Sequence, residues 1–238
     1  MSGFENMAMP SAEQSPILVV AALSYELAKL NRAAHPGLAL LETGEGIANA
    51  ERHLEAWLER GAARAVLSIG FAGALSPSLQ VGDLVIGRDV HDSKGSPDAK
   101  LLSAAKQVLM TVPLHFGVAL TSHKILWQAE SKRELADLLG ENEIGFVDME
   151  STVVAGVCAR RRMPFLIARA ITDRLDEDLP LDFNQYRDCD GRVDPKKVVK
   201  AALLRPAALK GLLDLRKRSR LCADRMAEFV ELLVPLIS

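Results

Sequence analysis

The stretch VDMESTVVAGVCARRRMPFLIARAITD, residues 147–173, contains a strand end, a helix and a second strand in immediate succession. Apolar residues recur at three- and four-residue spacing between Val153 and Cys158, which is typical of a helix that packs one face on a core. Phe165–Ile171 is an almost continuous apolar run, as in a strand that is buried on both faces of a parallel sheet. This succession predicts an α/β fold with alternating strands and helices.

The rest of the sequence repeats this pattern on both sides of the stretch. An amphipathic stripe begins at Ile47 and ends at Leu58, and the pattern from Pro195 to Ile237 is helical with a break at Pro206. We therefore expect a single α/β domain over residues 16–238, with three layers, α/β/α, around a mixed, mostly parallel central sheet. Six further apolar runs supply its other strands, at Ile17–Leu23, Leu38–Leu41, Ala65–Ile69, Leu84–Ile86, Phe116–Leu120 and Gly145–Val147.

The composition limits the partners of the chain. Its 29 Lys and Arg residues stand against 31 Asp and Glu, so the net charge of −2 offers no broad attraction for nucleic acid. A small-molecule ligand is therefore expected. Residues 1–15 are rich in Ser, Glu, Pro and Met and lack the features of a signal peptide, which predicts a disordered tail and a cytoplasmic protein. The three widely spaced cysteines also fit a reducing compartment.

Ligands of open α/β sheets bind at the carboxyl ends of the strands, so the residues after each apolar run are candidate site residues. Asp148 and Glu150 follow one run, at the start of a predicted helix. Acidic residues at a helix start are commonly caps, and Asp148 fits that role as well as a functional one. Glu150 beside the apolar Met149 fits a sugar better, because a carboxylate binds hydroxyl groups while a thioether packs on the ring face.

Two other strand ends have unusual residues. Gly70–Gly73 would allow backbone N–H groups close to a sugar, a carboxylate or a phosphate, although such turns are also ordinary strand-to-loop geometry. Asp173 ends an apolar strand, where it is either a general acid or the first residue of a solvated acidic loop over residues 173–182. Arg169 lies inside the same strand, and its charge predicts a structural ion pair. The five histidines have no metal-ligand spacing, so we expect no metal site.

Three segments, in the same order along the chain, resemble the nucleoside phosphorylase and nucleosidase superfamily. Residues 147–173 are similar to its ribose-binding and acid-bearing region, and SIGFAGALSPSLQVGDLVI, residues 68–86, to its glycine-rich loop and the strand that follows. AALSYEL, residues 21–27, resembles the opening strand and turn of the methylthioadenosine/S-adenosylhomocysteine nucleosidases. The resemblance implies cleavage of the bond between a purine base and its sugar, without a cofactor.

The resemblance also implies a role for each strand-end residue. Asp173 would protonate the leaving purine, since burial raises the affinity of a carboxyl group for a proton. Glu26 would orient and deprotonate the attacking water. Glu150 would bind the ribose hydroxyl groups, with Met149 packed against the sugar. The residues that would line the site of the nucleophile are Gly70, Phe71, Ala72 and Gly73.

The contacts to the base are implied less directly. The adenine-facing segment of the nucleosidases corresponds to residues 121–126, where Thr-Ser-His-Lys replaces their Gly-Asp-Ala sequence. This departure leaves the base specificity open, with adenine favoured by the resemblance. The residues expected at the base are Ile125, Leu126 and Val147.

Water and phosphate are alternative nucleophiles. Phosphorolysis requires cations and N–H donors around a dianion, and arginine commonly supplies them. Bacterial hexameric phosphorylases have an arginine just before the glycine-rich loop and a serine within it, where this sequence has Ser68 and Phe71. The departure favours hydrolysis. Phosphate would be the co-substrate only if Arg88, Lys124 or an arginine of a partner subunit rebuilt a phosphate site.

The final third of the chain bears on whether the nucleoside carries a lipid. Residues 188–215 resemble the tail of the hopanoid-associated phosphorylases, a bacterial branch thought to remove adenine from adenosylhopane. Residues 192–220 hold ten Lys or Arg against two Asp, which is either a solvated face or a contact with an anionic membrane surface. The resemblance also implies a homodimer or larger homo-oligomer. A non-catalytic nucleoside sensor is the alternative of another class, and the intact set of carboxyl groups argues against it.

Overall fold

A mixed sheet of seven strands forms the centre of the computed structural model, which describes residues 15–30, 35–188 and 190–237. Each of the seven apolar runs forms one of these strands, so the strand predictions are confirmed, although β1 ends at Ala21, two residues before the end of its run. The predicted tail over residues 1–15 lies outside the described residues, apart from Ser15. The strands are β1 (Ile17–Ala21), β2 (Leu38–Glu42), β3 (Ala65–Ala74), β4 (Leu84–Val90), β5 (Leu114–Thr121), β6 (Gly145–Asp148) and β7 (Phe165–Asp173).

The pairing of β3 determines where the sheet opens. One edge of β3 pairs in parallel with β7 over Val66–Gly73. The other edge pairs with β1 over Ala65–Ser68 and then with β6 over Gly73–Ala74, so residues 69–72 lie between two partners in the part of the chain that the structure describes. Because β7 also pairs with β4, β4 with β5, and β5 with β6, five strands close into a ring. Most pairings are parallel and those of β3–β6 and β4–β7 are antiparallel, which confirms the mixed, mostly parallel sheet.

Helices cover both faces of the sheet. They are α1 (Ser24–Leu27), α2 (Ile47–Arg60), α3 (Ala99–Ala105), α4 (Ala129–Ala136), α5 (Ser151–Arg161), α6 (Pro195–Leu203) and α7 (Pro206–Leu233). On one face, Leu54 of α2 and Val154 of α5 pack in a single core cluster with the sheet. On the other face, Leu101 of α3 and Phe229 of α7 pack in a second cluster. The expected three layers, α/β/α, are therefore confirmed.

The C-terminal helices begin where the sequence predicts. Asp194 accepts hydrogen bonds from the backbone N–H groups of Lys196 and Lys197, and Pro195 occupies the first turn, so α6 starts with a complete N-terminal cap. Pro206 starts α7 in the same way, because proline needs no hydrogen-bond partner for its nitrogen at that position. None of the helices in the described residues is both long enough and apolar enough to cross a membrane.

Candidate active site

Glu26 lies at the carboxyl end of β1, in the single turn α1, and its side chain is only 4% exposed. The N–H group of Leu23 donates to Glu26 Oε2 at 2.8 Å, and that of Phe71 donates to Oε1 at 3.0 Å. These contacts fix the carboxyl group against the open edge of β3. Burial raises the pKa of Glu26 to about 7, although the two N–H donors and Arg169 oppose the rise. A carboxyl group with this pKa exchanges protons at neutral pH, as a general base requires.

The predicted loop at Gly70–Gly73 is wrong, because these residues continue β3 as far as Ala74 and pair with β7. Gly70 has a φ of +153°, and a Cβ there would lie 2.9 Å from Glu26 Oε1, so only glycine allows this approach. The N–H group of Phe71 donates to Glu26 and not to a free anion site. At the other end of the stretch, the carbonyl of Ala72 lies 3.3 Å from Thr172 Oγ1.

Glu150 lies at the start of α5, after β6, and its carboxylate reaches across to α2. The N–H group of Gly46, at the start of α2, donates to Glu150 Oε1 at 2.7 Å. Burial, and then the charge of Asp148, raise the pKa of Glu150 to about 8. Met149 lies beside it, with Sδ 3.2 Å from Nη2 of Arg187. The pair Met149 and Glu150 therefore has an apolar and a polar side, as the sequence predicts for a sugar.

A buried ion pair between Arg169 and Asp148 lies close to Glu26 and Glu150. Arg169 Nε donates to Asp148 Oδ2 at 2.8 Å, and Nη1 donates to the carbonyl of Ser68 at 2.8 Å. Asp148 also accepts a hydrogen bond from the N–H group of Ser151 at 3.1 Å, at the start of α5. Asp148 thus caps the helix and neutralises Arg169, which confirms the structural ion pair predicted for Arg169.

A cavity of about 20 Å³ lies between Glu26 and Glu150. A buried water needs roughly 10–15 Å³ of such space, so the cavity accommodates about one water. Arg169 is the one cationic side chain that lines it among the described residues, and that guanidinium group is already paired with Asp148. Of the four residues expected at the nucleophile, Gly70 and Phe71 line the cavity. The other two, Ala72 and Gly73, do not line it, because they lie further along β3.

Asp173 lies at the end of β7 and is 5% exposed, so it does not open a solvated loop. Thr172 Oγ1 donates to its Oδ1 at 2.9 Å, and Lys132 Nζ donates to its Oδ2 at 2.8 Å. A Cβ on Gly73 would lie 3.0 Å from Oδ2, so glycine makes room for the carboxyl group. Burial raises the pKa of Asp173, and the Lys132 ammonium group opposes the rise.

Two carboxyl groups therefore contact the same stretch of β3. Glu26 contacts Gly70, and Asp173 contacts Gly73, three residues further along the strand. At about 3.3 Å per residue, this separation is roughly 10 Å.

The three residues predicted at the base occupy different environments. Val147 lies next to Gly73. A Cβ built on Gly73 would be 3.3 Å from Val147 Cγ1 and 3.0 Å from Asp173 Oδ2, so Val147 is also close to Asp173. Leu126 packs on the same apolar cluster as Val147. Ile125 contacts the chain after β7: its N–H group donates to Asn184 Oδ1, and Asn184 Nδ2 donates to its carbonyl, both at 2.9 Å.

Comparison with known proteins identifies the family. The model of the phosphorylase superfamily matches residues 32–204, which is more than two thirds of the chain. The chain belongs to the phosphorylase superfamily. The match begins after Glu26 and includes Glu150 and Asp173.

Curated relatives of this superfamily member include bacterial nucleosidases. A 5′-methylthioadenosine/S-adenosylhomocysteine nucleosidase of Exiguobacterium is 29% identical over 189 residues, 70% of this chain and 79% of that protein. The enzyme of the same name from Geobacillus thermodenitrificans is 30% identical over 168 residues, 62% of this chain and 71% of that protein. These values agree with the resemblance of the chain to that group.

Solved structures share the fold. Futalosine hydrolase of Helicobacter pylori aligns with a TM-score of 0.71 at 16% identity, over 94% of this chain and 99% of that one. The methylthioadenosine/S-adenosylhomocysteine nucleosidase of Neisseria meningitidis, in complex with methylthio-immucillin-A, aligns with a TM-score of 0.70 at 20% identity, over 92% and 98% of the two chains. At these identities the likeness establishes the fold alone.

Sequence reasoning missed several residues that complete the site of this phosphorylase superfamily member. Gly46 follows β2 in the motif Thr-Gly-Glu-Gly, a glycine-rich strand end that could have been noticed. Lys132 and Asn184 gave no such signal, because each has its partner more than 40 residues away in sequence. In the part of the chain that the structure describes, no group of three or more His, Cys, Asp or Glu side chains is arranged to hold a metal ion.

Proposed function

We propose that this phosphorylase superfamily member hydrolyses the N-glycosidic bond of a purine nucleoside, with adenine as the base. The observation behind the proposal is the pair of carboxyl groups, Glu26 and Asp173, which contact β3 at Gly70 and Gly73. Glycoside hydrolysis uses one carboxyl group for the leaving group and another for the nucleophile. The sequence relatives are named as nucleosidases of methylthioadenosine and S-adenosylhomocysteine, both of which contain adenine, and this supports the choice of base.

The proposed reaction assigns one task to each group. Asp173 delivers a proton to N7 of the purine, and the bond between C1′ and N9 breaks with its electron pair moving to the base. Glu150 accepts hydrogen bonds from the ribose hydroxyl groups while Met149 packs on the sugar. Water attacks C1′ and gives one proton to Glu26, so the products are the free base and the free sugar. A positioned acid or base contributes about 10²- to 10⁴-fold to the rate.

The cavity between Glu26 and Glu150 favours water over phosphate as the nucleophile. It accommodates about one water, whereas a phosphate dianion is several times larger. Two carboxyl groups line it, and Arg169 is already neutralised by Asp148. An anion placed there would meet like charges with no free cation nearby in the described residues, which is unfavourable in a buried site. Arg88, one of the residues considered for a phosphate site, pairs with Glu143 at 2.5 Å.

The experiment that tests this proposal is an assay of base release. The protein is incubated with adenosine, inosine, methylthioadenosine and a lipid-linked adenosine, with and without phosphate, and the free base is quantified by chromatography. Release without phosphate, with oxygen from ¹⁸O-labelled water at C1 of the sugar, is expected. Strict dependence on phosphate with formation of a sugar 1-phosphate would assign a phosphorylase instead. Absence of base from every substrate would contradict catalysis.

The α6–α7 junction supports a finer proposal, that the nucleoside carries a lipid, as in adenosylhopane, and that the enzyme contacts an anionic membrane. Leu203 and Leu204 are 65% and 81% exposed at this junction. The exposed side chains of Lys200 and Arg205 flank them. Exposed leucines beside basic residues are the features of a surface that binds anionic lipid headgroups.

Sedimentation with vesicles tests the membrane contact. We expect the protein to bind phosphatidylglycerol vesicles more than phosphatidylcholine vesicles, and the double variant Leu203→Ser, Leu204→Ser to lose that preference. Leu109→Ser is the matched control, since Leu109 is 89% exposed elsewhere on the protein. Equal binding to both vesicle types by the unaltered protein would contradict the membrane contact. The homo-oligomer implied by the resemblance is measured separately by light scattering.

A further inference from the structure

Lys132 is a lysine in a place where helices normally have an apolar residue. Its side chain is completely buried on the inner face of α4, and Lys132 is the one buried lysine among the described residues. Nζ donates to Asp173 Oδ2 at 2.8 Å and also to the main-chain carbonyl of Arg174. The ammonium group therefore has two fixed acceptors, one of which is the proposed acid.

Stability alone does not account for this ion pair. Removing two charges from water costs free energy, and replacing a buried pair by apolar residues of similar volume is often neutral or stabilising. A leucine or methionine at position 132 would fill the same buried position on α4 without the free-energy cost of removing two charges from water. The pair is therefore better explained by what it does to Asp173.

The hydrogen bonds on Asp173 raise a question about its proton. Lys132 Nζ can only donate, so Oδ2 accepts its hydrogen bond and is not protonated. Oδ1 lies 2.9 Å from Thr172 Oγ1, whose single hydroxyl proton is shared between this oxygen and the carbonyl of Ala72. The ammonium group of Lys132 is therefore the proton source in contact with Asp173 whenever the carboxyl group is ionised.

We propose that Lys132 is a positioning residue for Asp173: it orients the carboxyl group towards Gly73 and supplies the proton that Asp173 passes to the leaving purine. The inference rests on the proposed function. One proton moves from Nζ to the carboxyl group, and one moves from the carboxyl group to N7 as the bond between C1′ and N9 breaks. Lys132 is left neutral and regains a proton from solvent after the base leaves. Burial raises the pKa of Asp173, which favours transfer of a proton to its carboxyl group.

Other charged and titratable groups face the pair from the elements packed around it. Glu177, in the chain after β7, raises the pKa of Asp173, and Arg218 of α7 pairs with Glu177. The carboxylate of Asp178 accepts a hydrogen bond from the N–H group of Ala129 at the start of α4. Cys222 of α7 has a raised pKa, chiefly from burial. A substitution at position 132 leaves all of these groups in place.

The pH dependence of the reaction tests the proposal. The wild-type carboxyl group has a proton donor in contact with it, so we expect wild-type activity to extend to more alkaline pH than the activity of a variant without that donor. In Lys132→Met the proton is held by Asp173 alone, so activity should fall at a lower pH than in the wild type. We therefore expect the ratio of kcat/KM at pH 6 to that at pH 9 to rise at least tenfold in the variant. Arg133→Met, which removes an exposed charge from the same helix, is the matched control and should leave the ratio unchanged.

A structural role predicts a different result. If Lys132 only stabilised α4, the variant would lose the same fraction of activity at every pH, and a ratio within threefold of wild type would overturn the proposal. If Lys132→Met does not fold, the variant with both Lys132→Met and Asp173→Asn decides, since it buries no charge at the pair. Its kcat should equal that of Asp173→Asn within twofold, and a further tenfold fall would overturn the proposal.

A measurement without substrate separates this inference from the proposed function. Carbon-13 NMR of the Asp173 carboxyl carbon should show a titration at higher pH in Lys132→Met than in the wild type, because the ammonium group opposes the rise that burial causes in the pKa of Asp173. The same titration in both proteins would overturn the role of Lys132. A wild-type protein that shows the expected NMR behaviour but releases no base would overturn the proposed function alone.

Discussion

Replacement of Glu26 by glutamine should stabilise the protein at neutral and alkaline pH. Burial raises the pKa of Glu26 from its ordinary 4.5 to about 7. A carboxyl group whose folded pKa is raised binds its proton more tightly in the native state, so its ionisation destabilises that state as the pH rises. The cost is absent below pH 4.5, grows up to pH 7 and is complete above it. The rise in pKa from 4.5 to about 7 corresponds to a loss of about 3 kcal/mol in the free energy of unfolding.

A glutamine at position 26 would not titrate, so the Glu26→Gln variant escapes this cost. Its amide retains one acceptor oxygen for the N–H groups of Leu23 and Phe71, and the lost hydrogen bond costs about 1 kcal/mol at every pH. The unfolding free energy of the variant relative to wild type should therefore rise by up to about 3 kcal/mol between pH 5 and pH 8. For a chain of this size, that change is roughly 6–12 °C in Tm.

Thermal unfolding followed by circular dichroism at several pH values measures this difference. Glu59→Gln is the matched control, because Glu59 lies on α2 with a side chain that is 66% exposed, and its difference curve should be flat. A Glu26→Gln curve as flat as the control would refute the raised proton affinity of Glu26. The same variant should lose about 10²- to 10⁴-fold in kcat if Glu26 is the base. In the wild type, kcat/KM should rise with pH through a midpoint near 7, as Glu26 ionises.

Three further substitutions test other contacts of the site. Gly70→Ala places a Cβ 2.9 Å from Glu26 Oε1, so kcat/KM should fall at least tenfold in steady-state assays, and strain at φ +153° should cost about 1–3 kcal/mol in urea unfolding. Asn184→Ala frees the N–H and carbonyl groups of Ile125 for the base, so KM should fall roughly fivefold, as for a competing contact of about 1 kcal/mol. Arg169→Met leaves its carboxylate partner unpaired, and urea unfolding should show a loss of about 3–5 kcal/mol.

Each of these has a control and a contrary outcome. Gly37→Ala introduces a Cβ with no atom within 4 Å, so it should change neither activity nor stability, and equal effects of the two glycine variants would contradict the contact with Glu26. Gln185→Ala alters the neighbour of Asn184, and a KM that rises in Asn184→Ala alone would mean that Asn184 binds the substrate. Adding Asp148→Asn to Arg169→Met should recover part of the lost stability, which an effect of volume alone would not allow.

The strands were predictable because each is a local signal. A run such as Phe165–Ile171 is apolar on both faces, and only a strand between two helical layers buries it completely. The ends of these runs then indicate Glu26, Glu150 and Asp173, since ligands of such sheets lie at the carboxyl ends of strands. The structure places Glu26 and Asp173 in buried positions against β3 and Glu150 in a partly buried position beside the cavity, all at or just after strand ends, as that rule leads one to expect.

The parts that failed depend on contacts between distant segments. Gly70–Gly73 have the composition of a loop, and they remain a strand only because β7 pairs with them from about 100 residues away in sequence. Lys132 looks like any exposed lysine on a short helix until Asp173, 41 residues later, is placed against it. Neither relation has a periodicity or a spacing that a single sequence displays.

Burial gives the carboxyl groups of the site raised proton affinities, and these affinities have a cost and a use. The raised pKa values of Glu26 and Glu150 mean that each costs stability at neutral pH, where an apolar residue or a glutamine would not. Proteins tolerate such costs mainly at functional sites, where a base that titrates near pH 7 and a water-sized space beside it are useful together. The stability gained by Glu26→Gln and the activity that it loses should therefore arise from the same property, the affinity of one buried carboxyl group for its proton.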